Sequence, residues 1–262
     1  MKVHPGRLKW IAARMGWIIG ALVLVLLIWG GVRYRQQSRV SRVYIQIEED
    51  AQGNAFVDSN DVRDILVKTF GHFVEGQTLE KIDVGAIESA LEQDLFVEEA
   101  DVYVDAMANV NISIRQRLPI LRVMDVEDET YYLDAQGRQI PFSTKYTARV
   151  LVVTGDIGLY NSSFMELEDH RLRHSFILAE AILEDPLLSK QIEQIHINRL
   201  GDALLVPKVG NHKIYFGAPL ERTVEKLDEL KIFYREAMPY EGWEKYKLLN
   251  LAFEGQIVAK KR

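Results

Sequence analysis

Phe96 to Pro119 reads FVEEADVYVDAMANVNISIRQRLP, and the alternation within it decides the fold. Val110, Ile112 and Ile114 alternate with Asn111, Ser113 and Arg115, the period of a strand buried on one face. Phe96 to Asp105 reads as a preceding strand, Asn109 marks the turn between the two, and Pro119 closes the run. Two neighbouring strands of this kind need a layer to cover their apolar face.

The upstream sequence supplies that layer. Val43-Tyr44-Ile45-Gln46-Ile47 is β-branched and partly alternating, so it reads as a further strand. Gly53 and Asn54 mark a turn, and Asp58-Ser59-Asn60-Asp61 offers helix caps before Val62, Ile65, Leu66 and Thr69. Asp83 opens a second helix with Ile87, Ala90 and Leu91 at helical spacing. The expected order is strand, helix, helix, strand, strand: a small α+β unit.

After Pro119 the chain is strand-rich. Tyr131-Tyr132-Leu133 and Arg138-Gln139-Ile140 flank Asp134-Ala135-Gln136-Gly137, a hairpin signal. Leu151 to Gly155 reads as a buried strand, and Arg171 to Leu183 as a helix ended by Pro186. Ile192 to Asn198, Ala203 to Val206 and Lys213 to Phe216 follow as strands. Gly217-Ala218-Pro219 is expected to open a helix with Leu220, Val224, Leu227, Leu230 and Tyr234 on one face. Lys247 to Phe253 and Gln256 to Val258 are expected as the last strands, broken by Glu254-Gly255.

Ahead of both units lies GWIIGALVLVLLIWGGV, Gly16 to Val32, without a charged residue. A bilayer span needs about 20 apolar residues. The first 42 residues hold eight Lys or Arg and no acid, whereas the remaining 220 hold 24 basic and 38 acidic residues, a net charge of −14. The run ends Ile28-Trp29-Gly30-Gly31-Val32-Arg33-Tyr34-Arg35, with bulky and cationic groups where cleavage of a signal needs small residues after the run, so a retained anchor is favoured over a cleaved signal or a core helix. Trp10, Trp17, Trp29 and Tyr34 sit towards its ends, at headgroup level. Four cations precede the run and four follow it, so charge does not set its orientation. Gln36 to Arg42 reads as a polar tether. The acidic remainder does not suit nucleic acid.

These pieces together resemble the bacterial cell-division family FtsQ/DivIB, in the form found in Bacteroidetes-type bacteria. Phe96 to Val102 and Val110 to Pro119 are similar to the end of that family's POTRA domain. Tyr132 to Gly137 and Leu151 to Gly155 resemble the first strands of its β domain, and Phe216-Gly217, the helix from Leu220 and Leu249 to Phe253 resemble its end. The chain departs from the family in Glu48-Glu49-Asp50, where a glycine is common, and in Asn250-Leu251-Ala252-Phe253, which lacks an acid and an arginine. The resemblance implies a cytoplasmic tail (1–15), one membrane helix (16–34), a tether (35–42), a POTRA-like βααββ domain (43–118) and a mixed β domain with two helices (119–262), the bulk of the chain periplasmic.

Candidate chemistry is sparse. His170 and His174 stand four apart with Glu166 and Asp169 nearby, but Arg171 and Arg173 crowd them, and a solvated helix surface is the expectation. His196, between Ile195 and Ile197, is expected to face away from the core. Asp125 to Glu129 lacks the spacing and glycine of a calcium loop. There is no cysteine, no G-x-S-x-G elbow and no phosphate loop, so no enzymatic activity, cofactor or metal is expected.

A late apolar strand can lie wholly inside the sheet and close the core, which the pattern alone favours, or lie at a sheet edge and accept a partner strand. The resemblance implies that an FtsB-like protein, paired with FtsL, adds there. The expected partner-binding residues are Lys247, Leu248, Leu249, Asn250, Leu251, Ala252 and Phe253, with Glu221 and Arg222 on the preceding helix and Lys260, Lys261 and Arg262 as a charged flank. FtsK-, FtsW- and FtsI-like proteins are further expected partners. The competing readings are a POTRA-containing secretion or envelope-assembly factor and a membrane-anchored periplasmic hydrolase.

Overall fold

A computed structural model describes residues 17, 19–31, 37–49, 55–126 and 129–262. Residues 19–31 are helical. Among the described residues, no helix is long and apolar enough to cross a membrane. The expected span over 16–34 extends into residues 16, 18 and 32–34, which lie outside the described set, as do the tail (1–15) and the turn at Gly53 and Asn54. The rest of the chain divides into two compact units, with the main break between Arg115 and Gln116 and with residues 49, 55 and 56 grouped with the second unit.

In the first unit, β1 (Val43–Glu48), α1 (Ser59–Phe70), a short 3-10 turn (Leu79–Lys81), α2 (Val84–Glu92), β2 (Val97–Val104) and β3 (Val110–Gln116) follow in order. The sheet order is β1-β3-β2, and β1 runs parallel to β3 with Val43 opposite Val110 and Ile47 opposite Ile114. A parallel pair needs a long crossover, which the two helices provide. Asp58 caps α1 by accepting from the N–H groups of Asn60 and Asp61, and Asp61 returns the contact to the Asp58 N–H at 2.7 Å. Such a capping box contributes about 1 kcal/mol. Val62, Leu66, Ile87, Leu91, Val97, Val102, Val110, Ile112 and Ile114 are all buried in its core.

The expected tether gives way here for residues 38–42. Val40 is buried, its N–H donates to Gln77 O at 2.8 Å, and its carbonyl accepts from Gly76. Ser41 N–H donates to Ala108 O, and Leu79 N–H to Ser38 O. An apolar Val40 within a polar stretch is the residue that draws this segment into the fold.

The second unit is one mixed sheet of nine strands in the order β12-β11-β10-β9-β8-β7-β4-β5-β6. Its strands are β4 (Pro119–Asp125), β5 (Thr130–Asp134), β6 (Gln139–Pro141), β7 (Leu151–Gly155), β8 (Ile192–Ile197), β9 (Ala203–Pro207), β10 (Lys213–Gly217), β11 (Tyr246–Asn250) and β12 (Val258–Lys261). α3 (Arg171–Glu184) and α4 (Leu188–Gln191) connect the parallel pair β7 and β8, and α5 (Thr223–Glu236) and α6 (Met238–Glu241) connect the parallel pair β10 and β11. Leu172, Phe176, Ala179 and Ile182 of α3 join Leu227 and Leu230 of α5 in one core with Val123, Val153, Ile195, Leu205, Ile214 and Leu249 from the sheet. Each such aliphatic side chain contributes about 1.5–3 kcal/mol by leaving water.

β4 has no counterpart among the expected strands, although Leu121 and Val123 alternate with Arg122. The helix expected from Gly217 begins later, at Thr223, because Arg222 takes a left-handed conformation (φ 50) that breaks the chain before the first turn. Its buried face is Lys226, Leu227, Leu230 and Tyr234, while Val224, expected on that face, is 68% exposed.

Candidate partner-binding edge

The late strand β11 is formed because Tyr246 and Leu249 bury against the sheet core, as does Leu251 just past its end. It does not lie at the edge. β10 flanks it in parallel, with Ile214 opposite Leu249 and Tyr215 opposite Asn250. β12 flanks it antiparallel, with Ala259 opposite Leu249 and Val258 opposite Asn250. Both sides of β11 are therefore hydrogen-bonded, and the open main chain at this end of the sheet belongs to β12.

The expected residues separate accordingly. Leu249 and Leu251 are buried, and Leu251 N–H donates to Tyr215 O at 2.9 Å. Asn250 turns inward on its own loop, its side-chain oxygen accepting from Ala252 N–H at 2.9 Å. Leu248 is half-buried opposite Lys260. Lys247 and Ala252 are exposed, and Phe253 is 48% exposed beyond the strand end. Glu221 and Arg222 do not stand on the helix: Arg222 occupies the cap position of α5, its guanidinium paired with Glu229 at 3.2 Å, and Glu221 precedes it.

Val258, Ala259, Lys260 and Lys261 thus form the edge, with Val258 and both lysines exposed. Ala259, Lys260 and Lys261 were outside the expected strand, which ended at Val258. The signal that placed them was the glycine turn at Gly255 (φ 68), which returns the chain beside β11 for four residues. Arg262 anchors the strand: its N–H donates to Lys245 O at 3.1 Å, its guanidinium to Asn211 O at 3.2 Å, and it pairs with Glu244 at 3.3 Å. Lys260 and Lys261 carry no ion pair among the described residues. The opposite end of the sheet is blunted, since β6 is three residues long and closes with Pro141, which has no N–H to offer. β12 is the more receptive of the two ends.

Residues 118–260, more than half of the chain, match the model of the family described as FtsQ/DivIB, C-terminal related. The chain belongs to that family. Residues 39–115 match a POTRA-like domain, which includes the stretch that the fold draws in around Val40. No curated protein matches the chain. The FtsQ/DivIB-related match covers β4 through nearly all of β12, so the strand pair β11–β12 is within what defines the family unit.

The remaining candidates are structural. His170 caps α3, its Nδ1 facing the Leu172 N–H at 3.2 Å, and His174 Nε2 lies 2.6 Å from Glu168 O. His196 is exposed, as expected, with Nδ1 3.0 Å from Thr154 Oγ1. Asp125 Oδ1 accepts from Ile157 N–H at 3.3 Å, and residues 127 and 128 of that acidic stretch lie outside the described set. Among the described residues, no group of three or more His, Asp or Glu is placed to hold a metal ion.

Proposed function

We propose that this FtsQ/DivIB-related chain is a non-enzymatic scaffold of the division machinery, held by one membrane helix and binding an FtsB/FtsL-like pair by strand addition at β12. Membership of the family supports a role in cell division at the septum membrane. Support for the anchor comes from the helical residues between Ile19 and Trp29, whose large apolar side chains are 48–69% exposed. Water would penalise such a surface, and hydrocarbon would not. In this topology the basic segment before the helix is cytoplasmic and both folded units are periplasmic.

The single observation that carries the binding reading is the open outer edge of β12, on which Lys260 and Lys261 carry no ion pair among the described residues. An added strand gains main-chain hydrogen bonds along β12, and Lys260 and Lys261 favour an acidic segment. Confinement to a membrane raises effective concentration, so modest pairwise affinity suffices.

The test compares surface and core. Val258→Asp combined with Lys260→Glu and Lys261→Glu is expected to abolish capture of an FtsB-like peptide without changing the melting temperature. Retained binding rejects the edge. Leu249→Ala serves as the contrast, because it opens a cavity in the core and is expected to lower stability by about 2–5 kcal/mol.

A further inference from the structure

The three-stranded sheet of the first unit has two outer edges with different fates. β2 is closed from within its own unit. Glu88 Oε1 accepts from the Val102 N–H at 2.9 Å, and Glu92 Oε1 accepts from the Ala100 N–H at 3.3 Å. These carboxylates take up the strand's outward N–H groups. β1 has no such cover: no described group hydrogen-bonds the main chain of Val43, Ile45 or Ile47 on its outer side. Nor does β1 carry a usual edge defence, since it is six residues long, keeps an unbroken register with β3, and contains neither proline nor lysine.

The phase of β1 fixes what that edge can do. Arg42 O accepts from the Val110 N–H at 2.9 Å, so the even-numbered residues direct their peptide groups at β3. Val43, Ile45 and Ile47 therefore direct theirs outward. Their side chains are half-buried on the core face, while Tyr44, Gln46 and Glu48 are exposed on the other.

The sequence along this edge is complementary to itself. Arg42-Val43-Tyr44-Ile45-Gln46-Ile47-Glu48 carries a cation at one end, an anion at the other and an apolar centre. Both end charges are exposed, and Glu48 has no ion pair among the described residues. We propose that β1 is a homotypic docking edge, at which a second copy of this chain adds its own β1 antiparallel across a twofold axis at Ile45. Val43 then faces Ile47 of the second copy, and Ile45 faces Ile45, each of these pairs exchanging two main-chain hydrogen bonds. Tyr44 faces Gln46, and Arg42 faces Glu48, once on each side of the axis. The interface is isologous, closes at two copies, and extends the sheet through β2-β3-β1 of one copy into β1-β3-β2 of the other. A foreign strand would need the same charges in the same order to fit as well.

The chain has no cysteine, so introduced thiols report the register directly. Full-length chain bearing Tyr44→Cys is co-expressed in membranes with full-length chain bearing Gln46→Cys and exposed to a mild oxidant. The mixture is expected to give at least about fivefold more disulfide-linked dimer than either variant alone, because the same position in two copies is diagonal and beyond disulfide reach. Absence of dimer, or equal yield from the single variants, overturns the pairing. Arg42→Glu or Glu48→Arg alone should weaken self-association about tenfold through like-charge pairs at both ends. The two together in one chain should restore it. Failure of the charge swap to restore association overturns the proposal even if each single variant weakens it.

Discussion

Asp134 Oδ2 accepts from Arg117 Nη1 at 3.0 Å, and both side chains are buried. The same carboxylate accepts from Arg138 Nε at 2.7 Å and from the N–H groups of Gln136 and Arg138. It thus fixes the β5–β6 turn to the segment that leads into β4. Removing one partner of a buried pair leaves the other charge uncompensated, which costs about 3–5 kcal/mol. Asp134→Ala is expected to lose that much in urea unfolding. Arg117→Met added to it should cost less than it does alone, because the two side chains interact, and a fully additive double variant would contradict the pairing.

Gly155 ends β7 at φ 103, and a Cβ there would lie 2.0 Å from Ile197 O. The close approach has a purpose: Asp156 N–H donates to that same carbonyl at 3.0 Å, tying the β7 exit to β8. Neither backbone can shift without breaking a parallel ladder. Gly155→Ala is expected to cost at least about 3 kcal/mol and to leave little soluble protein at growth temperature. Wild-type yield and melting temperature would show that the approach is looser than described.

Legibility in the sequence followed local periodicity. β3 was readable because Val110, Ile112 and Ile114 bury every second side chain, and α1 because Asp58 and Asp61 form a cap before a one-sided apolar face. The start of α5 was not readable, because the backbone turn at Arg222 is imposed by the tertiary course from β10 and not by residue type. The open end of the sheet was misplaced by one strand for a related reason. Apolar content marks Leu249 and Leu251 as strand, but the most apolar strand is the one that other strands cover, and the edge residues Lys260 and Lys261 look like a solvated tail. Sheet order depends on pairings between distant segments, which no short window contains.

Lys226 is buried in α5 with its ammonium 4.9 Å from the Phe216 ring centroid and 3.5 Å from Ala218 O. Burial pushes its pKa below the usual lysine value, with Glu221 opposing and Arg222 adding to that shift. A lowered folded pKa means the unfolded chain binds the proton more tightly, so this lysine subtracts stability at neutral pH and subtracts less as pH rises towards the ordinary lysine range. Lys226→Met keeps the packed stem and removes the charge. It is expected to raise stability by about 1 kcal/mol at pH 7, the removed desolvation outweighing the lost ring contact, as read from the unfolding midpoint. A loss of similar size would show that the ring contact dominates.

His212 follows Asn211, whose carbonyl accepts from Arg262, and is buried between Tyr234 and Trp243. Its Nε2 is 3.0 Å from the Tyr234 hydroxyl, and among the described residues its buried Nδ1 has no hydrogen-bond partner. Burial lowers its pKa, Glu244 opposes, and Arg262 adds to the lowering. The folded pKa is therefore below the unfolded value of about 6.5. Stability contributed by the neutral ring is complete above about pH 6.5 and declines as pH falls from there to the folded pKa, with a slope of at most about 1.4 kcal/mol per pH unit. His212→Phe keeps the aromatic packing and cannot titrate. Its unfolding free energy should fall less between pH 7 and pH 5 than that of the unaltered chain, measured by urea titration at each pH. Because Arg262 joins β12 to Asn211 beside this ring, hydrogen exchange at Ala259 to Lys261 should also rise at pH 5 in the unaltered chain, after correction for intrinsic rates, and not in the variant. Identical pH slopes in the two chains would assign the acid sensitivity to other groups.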